Sequence, residues 1–478
     1  MLFWVVFLDF PFSPNVRISS DPDRVLNQGE SSFAVYQNRI YTICNTAERS
    51  IYPAAPFAYS EDRGETWTDY NFVDNTTGII WHTDPVVCTD TNGDIHLFLQ
   101  FSLYYIKHYL SVDGGKTWID TSMVSDTSTH GAVDKPWFVM KKGVIYGVWQ
   151  EFGGESPGIR FAISTDRGKT FKVSTIIPYM GGICGIDVDE DGIIYVVSNS
   201  GGRLWFFKSE DNGETWISQE RIGRVYYRDG VGDRASVPSL SVYGKGNLYV
   251  VWTDIRYGTW DILGMYSTDG GETWSGVQVL GEPQEGGECK PWITFDPYGG
   301  VHLFYYKTED YPTNLESKWS VRYRYAPKID SPFHPSIRIT DTTFSFYYFN
   351  DETFMGDYHT IRADSYYVYA VWTDGREGDM DLFFSKAKIK DAQGVKEEIT
   401  QNCYPPMVKV LNSFPKLYIQ TFEDNIKFLI ADPSGRIIDK GILNNPGHHT
   451  IKIPSPGCFF LVFEKGEKVT KIKQVVLP

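Results

Sequence analysis

The sequence is poor in the features that build a disulfide scaffold, a membrane span or a nucleic-acid-binding surface. Its 478 residues include six widely spaced cysteines and no CxxC pair, so neither a disulfide-built fold nor a zinc site is indicated. No Lys/Arg block offsets the formal net charge of −15, which disfavours nucleic acid as a partner. No apolar run reaches the length of about 20 residues that a transmembrane helix needs. Sustained 3.6-residue periodicity is also missing, and helices should therefore be rare.

Aromatic residues, glycine and proline are abundant instead. Aromatic residues make up 16% of the chain, beside 44 Gly and 25 Pro, a composition typical of short strands joined by tight turns. We therefore predict an all-β protein. The apolar start, residues 1–14, contains no Lys or Arg and is interpreted either as the remnant of a signal peptide or as a leading strand.

One eight-residue pattern, S-x-D-x-G-x-T followed by Trp or Phe, recurs five times. The copies begin at Ser60, Ser111, Ser164, Ser209 and Ser267, with steps of 45 to 58 residues that suit one four-stranded propeller blade. Ser and Asp can bond the amides of a tight turn, Gly supplies positive φ, and the aromatic residue can pack between neighbouring sheets. The pattern therefore indicates a folding role.

Seven apolar segments of similar pattern are predicted to be the second strands of seven blades, at 40–44, 95–99, 145–149, 194–198, 248–252, 301–305 and 368–372. The prediction is a β-propeller over residues 15–395, with six blades as the alternative to seven. The last unit lacks an outer strand, and residues 15–19 resemble the outer strand of unit six. We expect residues 15–19 to complete blade seven, which would remove exposed strand edges.

The five copies resemble the Asp-box, or bacterial neuraminidase repeat, of sialidases and many other β-propellers. The resemblance implies a propeller over roughly residues 15–390, whereas the boxes of that family are structural and do not define activity. For a sialidase it would imply three arginines holding a substrate carboxylate, an acid/base Asp and a Tyr nucleophile activated by Glu.

After about residue 400 the repeat stops, and residues 400–478 are predicted to form a small β-sandwich. Gly457-Cys458-Phe459-Phe460, Gly466 and Lys471-Ile472-Lys473 resemble the ending of the C-terminal sorting domain of the type IX secretion system. The resemblance implies export across the outer membrane, and the alternative is an ordinary accessory β-sandwich. Cys403 and Cys458 could pair in an oxidising compartment.

The Asp-boxes connect third strands to outer strands, so they should all lie on one face of the propeller. Loops between second and third strands, and segments entering the inner strands, should surround the central channel on the opposite face, where a ligand would bind. The catalytic candidates at this channel mouth are Tyr358 as nucleophile or stacking platform, with Asp134, Glu288 and Asp357 as acid/base groups. The binding candidates are Arg234, Arg256, Arg376, Lys135 and Lys290.

Several of these candidates have a structural alternative. Arg256 and Arg376 share the motif W-T-D-x-R-x-G-x-x-D, in which Arg can clamp a carboxylate or sugar hydroxyls, or brace its own loop by pairing with the motif's first Asp. Lys135 and Lys290 precede Pro-Trp and could simply pair with a nearby carboxylate. Asp261 and Asp381 could ligate calcium; otherwise we expect no metal or cofactor.

Together these features favour a secreted or cell-surface, monomeric protein that acts on glycans. The first hypothesis is an exo-sialidase-like or other glycoside hydrolase with its site opposite the Asp-boxes and a carbohydrate or glycoprotein glycan as substrate. The second is a non-catalytic propeller that binds glycan or protein through the same channel mouth. The sequence leaves the choice between enzyme and binding module open.

Overall fold

Short apolar segments alternating with Gly- and Asp-containing turns form strands along the whole chain. The structure, a computed structural model, describes residues 12–18, 28–46, 55–73, 82–125, 130–154, 157–226, 237–282, 286–308, 310, 317–346, 356–378, 380–389, 408–413, 416–421, 426–431, 437–444, 447–452, 457–465 and 468–477. The chain divides into two units, Met1–Val395 and Lys396–Pro478. Arg234, Cys403 and most of the predicted leading segment 1–14 lie outside the described residues.

The first unit is a seven-bladed β-propeller of four-stranded antiparallel sheets. Blades 1 to 3 contain β2 (Gln28–Tyr36), β3 (Arg39–Thr46), β4 (Pro56–Ser60), β5 (Asn71–Phe72); β6 (His82–Thr89), β7 (Ile95–Phe101), β8 (Tyr105–Ser111), β9 (Ile119–Met123); and β10 (His130–Lys141), β11 (Val144–Gly154), β12 (Gly158–Ser164), β13 (Lys172–Pro178). Blades 4 to 6 contain β14 (Ile183–Val188), β15 (Ile194–Ser200), β16 (Arg203–Ser209), β17 (Ile217–Arg224); β18 (Ser239–Tyr243), β19 (Asn247–Asp254), β20 (Asp261–Ser267), β21 (Gln278–Val279); and β22 (Gly287–Phe295), β23 (Val301–Thr308), β24 (Trp319–Ala326), β25 (Ile337–Arg338).

Blade 7 joins the two ends of the propeller. Its first three strands are β26 (Thr360–Ala363), β27 (Tyr367–Asp374) and β28 (Asp381–Lys388), and its outer strand is β1 (Val16–Arg17) from the start of the chain. Val16 pairs with Phe384, and Arg17 pairs with Phe383. The predicted closure by the N-terminal segment is therefore confirmed, and the count is seven blades, not six.

Each Asp-box is a hydrogen-bonded turn built in the same way. In the first box the Ser60 hydroxyl donates to Asp62 Oδ1 (2.8 Å) and accepts from the Gly64 amide (2.7 Å). Thr66 donates from its amide (2.9 Å) and its hydroxyl (2.6 Å) to the two Asp62 oxygens. In the second box the corresponding bonds, led by that of the Thr117 hydroxyl, lower the pKa of Asp113 to about 2. The carboxylates are thus engaged in folding the turn.

The boxes also join neighbouring blades. The box glycine lies against an aromatic ring from the third strand of the preceding blade; a Cβ on Gly64 would come within 2.2 Å of the Phe384 ring. The aromatic residue that ends the box packs edge-on against the same ring, in the pairs Trp67–Phe384, Trp118–Phe57, Phe171–His108, Trp216–Phe161 and Trp274–Phe206. Five blade interfaces therefore share one aromatic contact.

Blade 2 replaces this phenylalanine by a histidine. His108 and His96 are fully buried and stacked, with 2.9 Å between His96 Nδ1 and His108 Nε2. In blade 4 the equivalent rings are Tyr195 and Phe206, also stacked. Burial lowers the pKa of His96 to about 4 and that of His108 to about 3. Both rings are therefore neutral at neutral pH.

The second unit contains two antiparallel sheets. The three-stranded sheet consists of β29 (Val408–Ser413), β30 (Lys416–Thr421) and β33 (Gly447–Lys452); the four-stranded sheet consists of β31 (Ile426–Ala431), β32 (Ile437–Leu443), β34 (Gly457–Lys465) and β35 (Lys468–Leu477). Within the residues that the structure describes, no helix combines the length and hydrophobicity required to cross a bilayer.

Candidate functional site

Four inner strands carry an irregularity at corresponding positions near the channel mouth. In each strand the ladder register shifts at a non-glycine residue with left-handed backbone: Glu30 (φ 52°), Asp84 (φ 48°), Lys135 (φ 50°) and Lys290 (φ 55°). Such a conformation costs roughly 1–3 kcal/mol in a non-glycine residue, and it concentrates at functional sites. The four charged side chains come from blades 1, 2, 3 and 6.

Lys135 lies at the centre of the resulting cluster. Its Nζ is 2.6 Å from Glu30 Oε1, 2.8 Å from Asp84 Oδ1 and 2.9 Å from Asp357 Oδ2. The Glu30 carboxylate also accepts from Asn45 Nδ2 and from the Asp357 amide. Only 12% of the Lys135 side chain is exposed, so its charge depends on these carboxylates rather than on water. We refer to Lys135, Glu30, Asp84, Asp357, Asp134 and Lys290 as the axial cluster.

Two carboxyl groups of the axial cluster have pKa values shifted in opposite directions. Burial, reinforced by the charge of Asp84, raises the pKa of Asp134 to about 6. Burial would also raise the pKa of Asp357, but the Lys290 and Lys135 ammonium groups outweigh it and hold that pKa well below its usual range. Burial raises the pKa of Glu30 to about 8, against the opposing charge of Lys135. Below about pH 6 the site thus contains a protonated Asp134 and an ionised Asp357.

An aromatic floor lies next to the axial cluster. The ring centroids of Trp137 and Trp292 are 4.6 Å apart, and the Tyr358 ring lies 5.4 Å from Trp137. Lys135 Nζ lies 5.7 Å from the Tyr358 ring centroid, within cation–π range. The Tyr358 hydroxyl is buried, with no hydrogen-bond partner among the described residues, and burial raises the pKa of Tyr358 well above its usual value. Its ring is thus positioned to support the lysine.

Glu288 lies apart from this cluster, although it is only two residues from Lys290. Its Oε1 accepts from the Glu282 amide (2.9 Å) and lies 3.6 Å from Lys307 Nζ. Burial raises the pKa of Glu288 to about 7. The bulge at Lys290 changes the alternation of side chains along β22, and the structure gives Glu288 no contact with the other acid/base candidates.

Arg256 and Arg376 brace their own loops in the same way. Arg256 Nη2 is 2.9 Å from Asp254 Oδ2, and Arg376 Nη2 is 2.6 Å from Asp374 Oδ2. The same aspartate oxygens accept from the indoles of Trp252 and Trp372. Neither guanidinium contacts the axial cluster in the structure, so the two copies of the motif present the bracing arrangement.

Arg376 has further neighbours outside its motif. Arg376 also bonds Asn15 and Asp341, and with Lys318 and Ser345 it lines a cavity of about 280 Å³ beside blade 7.

The calcium candidates lie in different blades: Asp381 pairs with Arg17 at 2.7 Å, and Asp261 accepts from Thr259. Across the described part of the chain, no group of three His, Cys, Asp or Glu residues is arranged to hold a metal ion.

Glu30 and Asp84 belong to the cluster but were not among the sequence candidates. Both lie in segments entering inner strands, where the sequence places the channel mouth. A signal for Asp84 was available, since Asp84-Pro85 repeats the pairing of a charged residue with proline seen at Lys135-Pro136 and Lys290-Pro291. Glu30 precedes serine, and no comparable pattern marks it.

Comparisons with known proteins support the repeat assignment. The BNR/Asp-box repeat family model matches residues 265–275. No curated protein matches the chain. Solved structures similar to this chain include a protein of unknown function from Dyadobacter fermentans, at TM-score 0.45 and 15% identity over 79% of this chain and 99% of that one. The NanB sialidase from Streptococcus pneumoniae matches at TM-score 0.45 and 12% identity over 80% of this chain and 71% of that one. The phage phi92 endosialidase matches at TM-score 0.46 and 9% identity over 98% of this chain and 88% of that one. At these identities the similarity concerns the fold alone.

Proposed function

We propose that the protein is a glycoside hydrolase that acts on carbohydrate at the axial cluster. The observation that carries the proposal is the axial cluster, in which Lys135 and Lys290 hold Asp357 ionised while burial raises the pKa of Asp134 to about 6. Two carboxyl groups with divergent pKa values are the arrangement that glycoside hydrolysis requires. The lysines of the cluster would add hydrogen bonds for sugar hydroxyls.

Asp134 and Asp357 take complementary roles in this mechanism. Asp134, with a pKa of about 6, donates a proton to the glycosidic oxygen as the bond to the anomeric carbon breaks. Asp357, kept ionised by Lys290 and Lys135, either attacks that carbon or removes a proton from the attacking water. Lys135 fixes the Asp357 carboxylate, and Tyr358 supports Lys135 through its ring.

The test is turnover on a panel of fluorogenic glycosides, sialosides included, and of soluble polysaccharides followed by reducing-end release. We expect Asp134→Asn and Asp357→Asn to lower kcat by about 100-fold or more while the fold is retained. Activity should decline as pH rises above about 6, because Asp134 then loses its proton. Glu272→Gln, on an exposed Asp-box side chain, is the matched control and should leave kcat unchanged.

A non-catalytic glycan- or protein-binding module is the second candidate. The pairing of Arg256 and Arg376 with their own aspartates favours it, because neither guanidinium is left to clamp a substrate carboxylate. This candidate predicts that wild-type protein binds glycan without turnover, and that Asp134→Asn and Asp357→Asn change affinity alone. Turnover abolished by either variant would reject it.

We also propose that residues 400–478 direct export, in keeping with their resemblance to a type IX sorting domain. The chain would then reach the cell surface or the medium of a bacterium that has this secretion system. Expression there with and without residues 400–478 tests the proposal: retention of only the truncated chain inside the cell supports it. Equal export of both chains would reject it.

A further inference from the structure

On the face opposite the Asp-boxes, blade 4 has short connections, and we call this part its low surface. The connection between its second and third strands spans only Gly201 and Gly202, the shortest such connection among the seven blades. The chain enters its inner strand through Gly181 and Gly182, where other blades present charged cluster residues. A Cβ on Gly201 would have no neighbour within 4 Å, so the surface at this connection is open, whereas Gly182 packs against Ser198 and Asn199.

Three arginines lie at this end of blades 4 and 5: Arg203 and Arg224, which we call the basic strip, and Arg256, which is paired with Asp254. Arg203 and Arg224 are directly opposite each other on β16 and β17, so their side chains project from the same side of the sheet. Like charges in such a pair are destabilising. Among the described side chains, no carboxylate lies within ion-pair distance of either Arg203 or Arg224. An anionic ligand would relieve this repulsion.

The basic strip is held in place by Tyr226. The Tyr226 amide donates to Asp254 Oδ2 (3.0 Å), the same carboxylate that holds Arg256. The guanidinium carbons of Arg256 and Arg224 lie 5.2 Å and 5.9 Å from the Tyr226 ring centroid. Next to Arg256, the Tyr257 side chain is 64% exposed. The guanidinium groups of Arg224 and Arg256 are thus held against the Tyr226 ring before any ligand arrives, which lowers the entropic cost of binding.

We propose that the basic strip binds an anionic polysaccharide whose chain crosses the low surface of blade 4 to reach the axial cluster. The carboxylate or sulfate groups of this chain pair with Arg203 and Arg224, and a sugar ring stacks on Tyr257. The inference rests on the proposed function, since it names the class of glycan on which the axial cluster acts. It assigns recognition of negative charge to blades 4 and 5, on a chain whose net charge of −15 otherwise repels such a polymer.

The test measures binding of the full chain to polygalacturonate, dextran sulfate and neutral dextran by calorimetry at about 50 mM and about 300 mM NaCl. We expect wild-type protein to bind one or both acidic polymers more tightly than dextran, more weakly at the higher salt concentration. The double variant Arg203→Gln/Arg224→Gln should weaken that binding about tenfold or more. The charge-matched control is Lys116→Gln/Lys169→Gln, in Asp-boxes on the opposite face, and should change nothing.

Tyr257→Ala should also weaken binding of the acidic polymer, whereas Tyr298→Ala, which removes an equally exposed tyrosine in a hairpin on the opposite face, should not. Selective binding of the carboxylated or the sulfated polymer identifies the acidic group. Equal binding of all three polymers, or loss in both double variants alike, would overturn the inference and leave the hydrolase proposal standing. Absence of any carbohydrate binding or turnover by wild-type protein would overturn the proposed function itself. If the double variant is unstable, the exposed single change Arg224→Gln supplies the same comparison.

Discussion

The buried histidine pair in blade 2 predicts that acid destabilises one particular blade interface. His96 and His108 occupy the positions of Tyr195 and Phe206 in blade 4, and His108 receives the Asp-box of blade 3 through Phe171. Around the pair lie Asp90, Asp94, Asp166 and Arg167. The three carboxylates only partly oppose the lowering of the histidine pKa values by burial, so the folded protein holds both rings neutral well below pH 6.5.

The sign and size of the effect follow from the pKa values. In the unfolded chain both histidines bind protons as pH falls below about 6.5. The folded chain does not bind them until about pH 4 for His96 and about pH 3 for His108. Stability is therefore fully present above pH 6.5 and is lost as pH falls towards 4. The loss per histidine is about 1.4 kcal/mol per pH unit, or about 3 kcal/mol for His96 across its window.

The perturbation is the double variant His96→Tyr/His108→Phe, which copies the pair of blade 4. We expect the free energy of unfolding, measured by urea denaturation between pH 7 and pH 4, to fall less steeply in this variant, by about 7 kcal/mol over the range for the two histidines together. The reverse change, Tyr195→His/Phe206→His, should steepen the pH dependence. Parallel pH profiles for wild type and His96→Tyr/His108→Phe would refute the reasoning, because the histidines would then titrate alike in both states.

Three further changes test the axial cluster, the boxes and the ring closure. Lys135→Met should cost about 3–5 kcal/mol at pH 7, because it removes the cation shared by three buried acidic side chains. Urea denaturation of the variant and the wild type checks this. Gly213→Ala should lower the melting temperature more than Gly192→Ala. Both glycines have positive φ, but only a Cβ on Gly213 would meet an aromatic ring, 2.2 Å from Phe161. Equal melting temperatures would contradict the proposed contact. Arg17→Ala removes the salt bridge to the fully buried Asp381 and should speed proteolysis of the N-terminal segment, an effect that Asp381→Asn in the same chain should partly reverse.

Most of the fold could be predicted from the sequence because the propeller repeats itself. The boxes and the apolar second strands gave the blade count, and the resemblance of residues 15–19 to an outer strand gave the closure. The aromatic contact between blades was harder to predict, because it joins residues such as Gly64 and Phe384, which are distant in sequence and belong to different patterns.

The candidate site could be predicted only in part. Entry segments placed Asp134, Lys135, Lys290 and Asp357 near one another, because inner strands converge on a channel. These segments could not predict that Glu288 lies apart from the cluster to which Lys290 belongs, since this difference depends on a bulge that the sequence does not reveal. The arginine motif was ambiguous for another reason: an Asp two residues before an Arg suits both a clamp and a brace, and only coordinates show which partner the guanidinium takes.

The pairing of β1 with β28 has a consequence for biosynthesis. Residues that become hydrogen-bonded neighbours, Val16 and Phe384, leave the ribosome more than 360 amino acids apart. At about 5–20 residues per second, the first segment must wait tens of seconds for its partner. During that interval the incomplete ring exposes the edge of a blade to other chains, and a product truncated before β28 would never hide it.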